Sequence, residues 1–350
     1  MSEGFVDHEA RPANGRLREG LSRLAYALAF ATIFGTAYGV GLRVEPPSGA
    51  TPARDATRER AGDARTRTAQ DAATLDIAAL DRVDEACWSE VRTWRVYFAH
   101  QSVGSDIVRG LQETMRRKPA LGLVLAAYAE PDTSDGATHT AFDAPAIIEG
   151  NAGKRGHPER KIEEFAKLLR SPEGARIDIA ILKLCYGDIG RTTDVEKLAD
   201  TYIKTVEAIT RDHPHIRFLH CTVPLKAEEH GAKGRMKRLV GAGSDASNSA
   251  RSRYNELIRK RFPAEQVFDI ARIESTGLDG KVATVEYDGQ MVQTLADEYT
   301  EDGAHLNALG QAVLAREFLV TLANQCSAKA KGVATGSSDA ARAEPEPGNR

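Results

Sequence analysis

Four cysteines in 350 residues, with no CxxC pair and no His-rich spacing, give no support for a structural zinc site. Charge of one sign is also missing: 47 Lys and Arg stand against 50 Asp and Glu, a net of −3 with the signs interspersed. That balance offers no basic stripe to nucleic acid and no strongly acidic surface, so no DNA or RNA partner is expected. No H-E-x-x-H pair is present, and glycine-rich pieces such as Gly241-Ala242-Gly243 are too short and too polar in context to cradle phosphate. No cofactor is therefore expected. No internal repeat is evident. What is present, 41% apolar and 28% charged residues, is ordinary for a globular protein with a buried core.

Long uncharged runs are absent except for one. Leu24 to Leu42 (LAYALAFATIFGTAYGVGL) would span roughly 29 Å as a helix, which matches the hydrocarbon core of a bilayer. It is expected to be a transmembrane helix or signal anchor. Arg16, Arg18 and Arg23 precede it closely and only Arg43 follows closely, which favours a cytoplasmic N-terminus and an extracytoplasmic remainder. Gly35-Thr36-Ala37 offers small residues to a signal peptidase, so a cleaved signal peptide and a secreted product form the rival reading.

Composition divides the rest. Residues 1–23 form a short N-terminal segment. Residues 43–73 are Pro, Ala, Arg, Thr and Asp with almost no large apolar side chain, which cannot offset ordering entropy and reads as a disordered linker. Residues 327–350 have the same character and are expected to be a disordered tail. Residues 74–326 are left as the folded domain. There, β-type runs (Arg95 to Ala99, Gly122 to Tyr128, Asp178 to Leu184, Ile216 to Val223, Val267 to Ile270) alternate with amphipathic helical patterns (Ile107 to Met115, Lys161 to Leu169, Val195 to Thr210, Arg253 to Arg261, Asn307 to Ala323). The alternation predicts an α/β fold with a mostly parallel sheet and helices on both faces. Ligands of such sheets bind beyond the carboxyl ends of the strands. Cys185 and Cys221 lie in or just after apolar runs and read as buried thiols. Cys87 and Cys326 sit at the two ends of the domain, and outside the cytoplasm a disulfide between them would tie its termini together.

Two short stretches carry chemistry: Phe98-Ala99-His100-Gln101-Ser102-Val103-Gly104 and Asp302-Gly303-Ala304-His305-Leu306-Asn307, the latter followed by Gly310. A serine hydroxyl is a poor nucleophile until an imidazole takes its proton, and that imidazole needs a carboxylate to fix its tautomer. Ser, Asp and His occur here in that order. These motifs resemble the SGNH hydrolases, the GDSL esterase and lipase superfamily, with the D-G-x-H-x-N-x-x-G block the most specific part. The resemblance covers most of Ala86 to Gln325 and describes a divergent member with a membrane anchor. It implies a three-layer α/β/α sandwich with a flavodoxin-like five-stranded sheet. It also implies Ser102 as nucleophile, His305 as base and Asp302 as its orienting carboxylate.

Two departures from the family pattern matter. Gly-Asp-Ser of the first block is His100-Gln101-Ser102, and Gly-x-Asn-Asp of the third is Cys185-Tyr186-Gly187-Asp188, without the amide that completes the family's oxyanion hole. The resemblance assigns the hole here to the N–H groups of Ser102 and of Gly150 or Gly153, with Asn151 as a substitute side-chain donor. His100, Gln101, Tyr186, Gly187 and Asp188 are the expected pocket residues.

Each has a plainer alternative. Ser102 could cap the following helix, and Asp302 and His305 could be a first-turn acid and a surface histidine. His100 could be a core histidine, and Asp188 could only fix a loop. Lys154, Arg155 and His157 read as a solvated charge run or as contacts to an anionic substrate. The implied activity is a membrane-tethered serine esterase working on small acyl esters or an acylated envelope polysaccharide, by hydrolysis or by acyl transfer. The alternatives are a non-catalytic binding module that kept the cleft, and a divalent metal held by His100, Asp188, Asp302 and His305.

Overall fold

The computed structural model describes residues 77–128, 141–231, 236 and 243–336. The expected membrane helix at 24–42, the linker at 43–73 and the last part of the tail lie outside them. Among the described residues no helix is long and apolar enough to cross a membrane.

The chain enters through α1 (Glu85–Val91) and then β1 (Arg95–His100), which is buried along almost its whole length. In β1, side chains alternate between two cores: Val96 and Phe98 enter one, Tyr97 and Ala99 the other. A strand covered on both faces needs this continuous apolar run. Helix α2 (Val103–Arg117) follows at once, and then β2 (Leu125–Tyr128), β3 (Ala146–Asn151), α3 (Pro158–Leu169) and β4 (Ile179–Leu182). Next come α4 (Val195–Asp212), β5 (Arg217–Phe218), β6 (His220–Cys221), α5 (Ser244–Arg261) and β7 (Val267–Phe268). The chain continues through α6 (Ile270–Ser275), the hairpin β8 (Thr284–Tyr287) and β9 (Gln290–Gln293), and α7 (Ala308–Gly336).

The sheet order is β2-β3-β1-β4-β5, parallel throughout. Leu219 N–H donates to Ala180 O just past β5, and β6 directly beyond pairs in parallel with β7. One core cluster joins α1, α2, α6 and α7 to one sheet face, and the second joins α3, α4 and α5 to the other. The result is the expected three-layer α/β/α sandwich with a mostly parallel five-stranded sheet. Helices α2 and α7 approach so closely that a Cβ on Gly110 would stand 2.2 Å from the Gln311 carbonyl oxygen.

Three details stand beside the expectations. Strand β3 (Ala146–Asn151) is absent from the β-type runs of the sequence; it lies between β1 and the Leu125–Tyr128 run, which is an edge strand. The third β-run of the sequence, ahead of Asp188, is thus the fourth strand, β4. Helix α7 continues to Gly336, past the expected domain end at 326. Cys87 and Cys326, the pair expected to be bridged, lie within hydrogen-bonding reach of each other. Both thiols are free, with Cys87 Sγ donating to Ala323 O at 3.0 Å and Cys326 Sγ donating to Glu90 at 3.1 Å.

Candidate active site

Parallel strands deliver their carboxyl ends to one rim, and the turn from β1 into α2 puts Ser102 there. Its φ of 55° and ψ of −115° lie where a residue with a Cβ is disfavoured, at a cost of about 1–3 kcal/mol. Ser102 holds the N-cap position of α2 but makes no side-chain cap bond. Its Oγ lies instead 2.9 Å from His305 Nε2. Gly104 permits the tight turn, since a Cβ there would meet the His100 side chain at 2.4 Å.

The loop before α7 is built residue by residue from its motif. Gly303 takes a φ of +76°, open to glycine without strain. Asp302 Oδ1 accepts the N–H groups of Ala304 and His305 at 2.8 and 2.7 Å, and Oδ2 lies 2.8 Å from His305 Nδ1. Asn307 Oδ1 accepts from Gly310 N–H at 3.0 Å, while Asn307 Nδ2 donates to Glu298 O at 2.8 Å. Gly310 is needed because a Cβ would stand 2.7 Å from Tyr299 O. From α2, buried Asp106 accepts the Leu306 N–H at 3.2 Å, which ties the histidine loop to the serine's own helix.

Partial burial pushes the Asp302 carboxyl upward, but the His305 backbone N–H, the His305 ring and the Ala304 N–H outweigh it and hold the pKa at about 2. With Asp302 ionised, the hydrogen belongs on His305 Nδ1, and Nε2 is left to accept from Ser102 Oγ–H. The His305 and Asp302 side chains are 46% and 56% exposed, so this relay opens to solvent.

A cleft of about 520 Å³ lies beside Ser102, lined among others by His100, Gln101, Glu149, Gly150, Asn151 and Arg155. His100 is buried with Nε2 at 3.0 Å from Glu149 Oε2. Burial first, and the Lys183 charge second, lower its pKa to about 3, so it is neutral. Gln101 Nε2 donates to Asn151 Oδ1 at 2.8 Å and to Gly153 O, which draws the three together at the cleft wall. Tyr186 packs edge-on to the His305 ring with centroids 6.0 Å apart, and the Arg155 guanidinium lies 5.2 Å from the Tyr186 ring centroid. Gly187 gives Arg155 its space, because a Cβ there would meet the guanidinium Nε at 2.4 Å.

Two expected site residues do something else. Ala146 and Ala152 N–H groups donate to Trp94 O and His100 O at the two ends of the β1–β3 ladder. The two-residue period of that ladder assigns the Gly150 N–H to Phe98 O, so it is spent in the sheet. Gly150 is a glycine because a Cβ would collide with the Tyr97 hydroxyl at 2.6 Å. Asp188 is fully buried and does not line the cleft. It accepts Lys161 Nζ, Gly156 N–H and Cys185 N–H, each at 2.7 Å, and so clamps the 154–157 loop to the end of β4. Lys161 and Lys183 were not foreseen, because neither a lysine in a charged helical turn nor one inside an apolar run carries a mark of its own burial.

Neither a protein-family model nor a curated protein matches the sequence. Among solved structures, one described as "a putative platelet activating factor from Streptococcus pneumonia" aligns with 15% identity over 63% of this chain and 92% of its own, at a TM-score of 0.34. A likeness that loose bears on neither the fold nor the site.

Proposed function

We propose that the chain is a serine hydrolase that cleaves or transfers ester-linked acyl groups. One observation carries the reading: Ser102 Oγ, His305 and Asp302 form a continuous hydrogen-bonded chain of 2.9 and 2.8 Å, with the serine on a strained strand-to-helix turn. Serine is exposed for attack by such a turn in unrelated hydrolases.

In the first step His305 Nε2 takes the Ser102 proton as Oγ bonds to the ester carbonyl carbon. The tetrahedral intermediate collapses as His305 returns that proton to the leaving alkoxide, and an acyl-enzyme remains. In the second step His305 deprotonates water, or a sugar hydroxyl in the transfer version, as that oxygen bonds to the acyl carbon; the Oγ–acyl bond then breaks and His305 returns the proton to Ser102 Oγ. Asp302 holds the imidazole tautomer and stabilises the imidazolium. The oxyanion would meet the Ser102 N–H, with Asn151 Nδ2 and the Gly153 N–H as further donors.

The tethered, extracytoplasmic location rests on the Leu24 to Leu42 run, and it points to an O-acylated envelope polysaccharide as substrate. The lack of an amide in Cys185-Tyr186-Gly187-Asp188 favours a second reading, a ligand-binding module that retains the cleft. Turnover of p-nitrophenyl acetate by the wild type and by Ser102→Ala decides between them. Loss of turnover in the variant supports the hydrolase, whereas equal rates remove Ser102 from any mechanism.

A further inference from the structure

Lys183 is the first residue beyond β4, and its backbone N–H still bonds to Ala99 O at 3.0 Å. Its side chain is fully buried, and its Nζ donates to the Gln101 carbonyl oxygen at 2.7 Å. Among the described residues the only other polar atom at contact distance is Cys185 Sγ at 3.9 Å, and no carboxylate pairs with the lysine. Glu274, Cys221 and Lys161 act on it only through their longer-range fields, and it in turn acts on His100 and Asp106. Burial lowers its pKa, with Cys185 opposing and the Lys161 charge adding. A buried cation without an ion-pair partner is costly. The neighbouring Lys161, equally buried, has Asp188 at 2.7 Å, so the absence of a carboxylate at Lys183 is particular to that position.

The Gln101 carbonyl belongs to the same amide as the Ser102 N–H. A trans peptide unit places C=O and N–H on opposite sides, and no peptide bond described is cis. That oxygen accepts Lys183 Nζ at 2.7 Å and the Gly104 N–H at 3.1 Å and lies 3.5 Å from Cys185 Sγ; with the oxygen so held, the Ser102 N–H points away from Lys183, on the side of the cleft that Ser102 lines, and it has no partner among the described residues. We propose that Lys183 is the positioning residue of the oxyanion site: its Nζ donor, beside the Gly104 N–H, holds the Gln101–Ser102 amide in orientation and polarises it, which strengthens the Ser102 N–H as donor to the developing oxyanion. The site thereby gains part of what the missing third-block amide does not supply. Lys183 touches no substrate and passes no proton to it. This inference rests on the serine hydrolase reading.

The test uses the full-length chain in mild detergent, with p-nitrophenyl acetate as substrate and active sites titrated by a fluorophosphonate. Wild type, Ser102→Ala, Lys183→Met and Lys183→Gln are compared. A fall in kcat per titrated site of about 30-fold or more in Lys183→Met, with KM within about twofold, marks an interaction made only in the transition state. Lys183→Gln keeps a neutral donor and is expected to fall between Met and wild type. Lys183→Met is also expected to melt at the wild-type temperature or above, since it replaces a buried amine that no carboxylate offsets with an apolar side chain of similar length. A purely structural lysine would give the opposite pair, a lower melting temperature with unchanged kcat per titrated site. If Lys183→Met does not fold, Lys183→Gln decides alone, and wild-type kcat there overturns the proposal. Wild-type kcat in Lys183→Met overturns it while leaving the hydrolase standing. A wild type that neither labels nor turns over fails the hydrolase reading, and Lys183 falls with it.

Discussion

Ser102 Oγ and His305 Nε2 stand 2.9 Å apart although 203 residues separate them in the chain. The contact is made by two helices: α2 starts at the serine, α7 starts just after the histidine, and Gly110 lets the two pack at backbone distance. The Asp106 to Leu306 N–H bond of 3.2 Å adds a direct strut between them.

Asp302→Asn tests the carboxylate's part in this arrangement. Asparagine can still accept the two backbone N–H groups, so the loop should hold, but its amide can present N–H to His305 Nδ1 and favour the wrong tautomer. The expected outcome is a drop of about 10³–10⁴-fold in kcat with near-wild-type stability, read by ester turnover beside thermal melting. Unchanged turnover would show that Asp302 only shapes the loop.

Gly110→Ala tests the helix contact. The added Cβ would meet a backbone carbonyl that cannot rotate away, so overpacking should outweigh the gain in helix propensity and cost about 1–3 kcal/mol. Urea midpoints for variant and wild type measure it; a stabilised variant would mean that the two helices do not approach this closely.

Much of this arrangement was legible in the sequence, and for identifiable reasons. The D-G-x-H-x-N-x-x-G block fixed its own loop because every named position has a local job: a positive φ at Gly303, a cap at Asn307, a close approach at Gly310. Strand β3 went unrecognised because only Ala146-Ile147-Ile148 is apolar before Glu149 and Asn151 turn to the cleft. The stronger β-type run at 122–128 took its place, although it is an edge strand with half-exposed side chains. The β8–β9 hairpin did carry a signal, since Asp288 and Gly289 take φ of 52° and 72° as the two-residue turn of an Asp-Gly hairpin requires. The burial of Lys161 and Lys183 is tertiary and has no sequence period.

Asp188→Ala should be severe for stability. It strands the Lys161 ammonium and two backbone N–H groups, so a loss of about 3–5 kcal/mol is expected. Pairing it with Lys161→Met should recover only part of this, because the Gly156 and Cys185 N–H groups stay unpaired. Full recovery in denaturant titrations would show that the loop clamp contributes nothing.

His220 sets an acid-side dependence. It is buried, with Nδ1 at 2.9 Å from the Tyr202 hydroxyl and its ring stacked on Phe262. Burial, with the Arg261 charge adding, holds its pKa near 3, against an ordinary 6.5. The unfolded chain takes this proton near pH 6.5 and the folded chain only near pH 3. The neutral ring's contribution is therefore complete above 6.5 and is lost as pH falls, by up to about 1.4 kcal/mol per unit. His220→Gln lacks that loss, so the wild type's stability relative to the variant should shrink from pH 7 to pH 4.5. Parallel pH profiles would contradict the assignment.

Whether Ser102 is an activated nucleophile is read by covalent labelling with a fluorophosphonate. Stoichiometric labelling of the wild type at Ser102, no labelling of Ser102→Ala, and labelling slowed by at least about 10³-fold in His305→Ala are expected. A folded wild type that does not label, or a His305→Ala variant that labels at the wild-type rate, would contradict that activation.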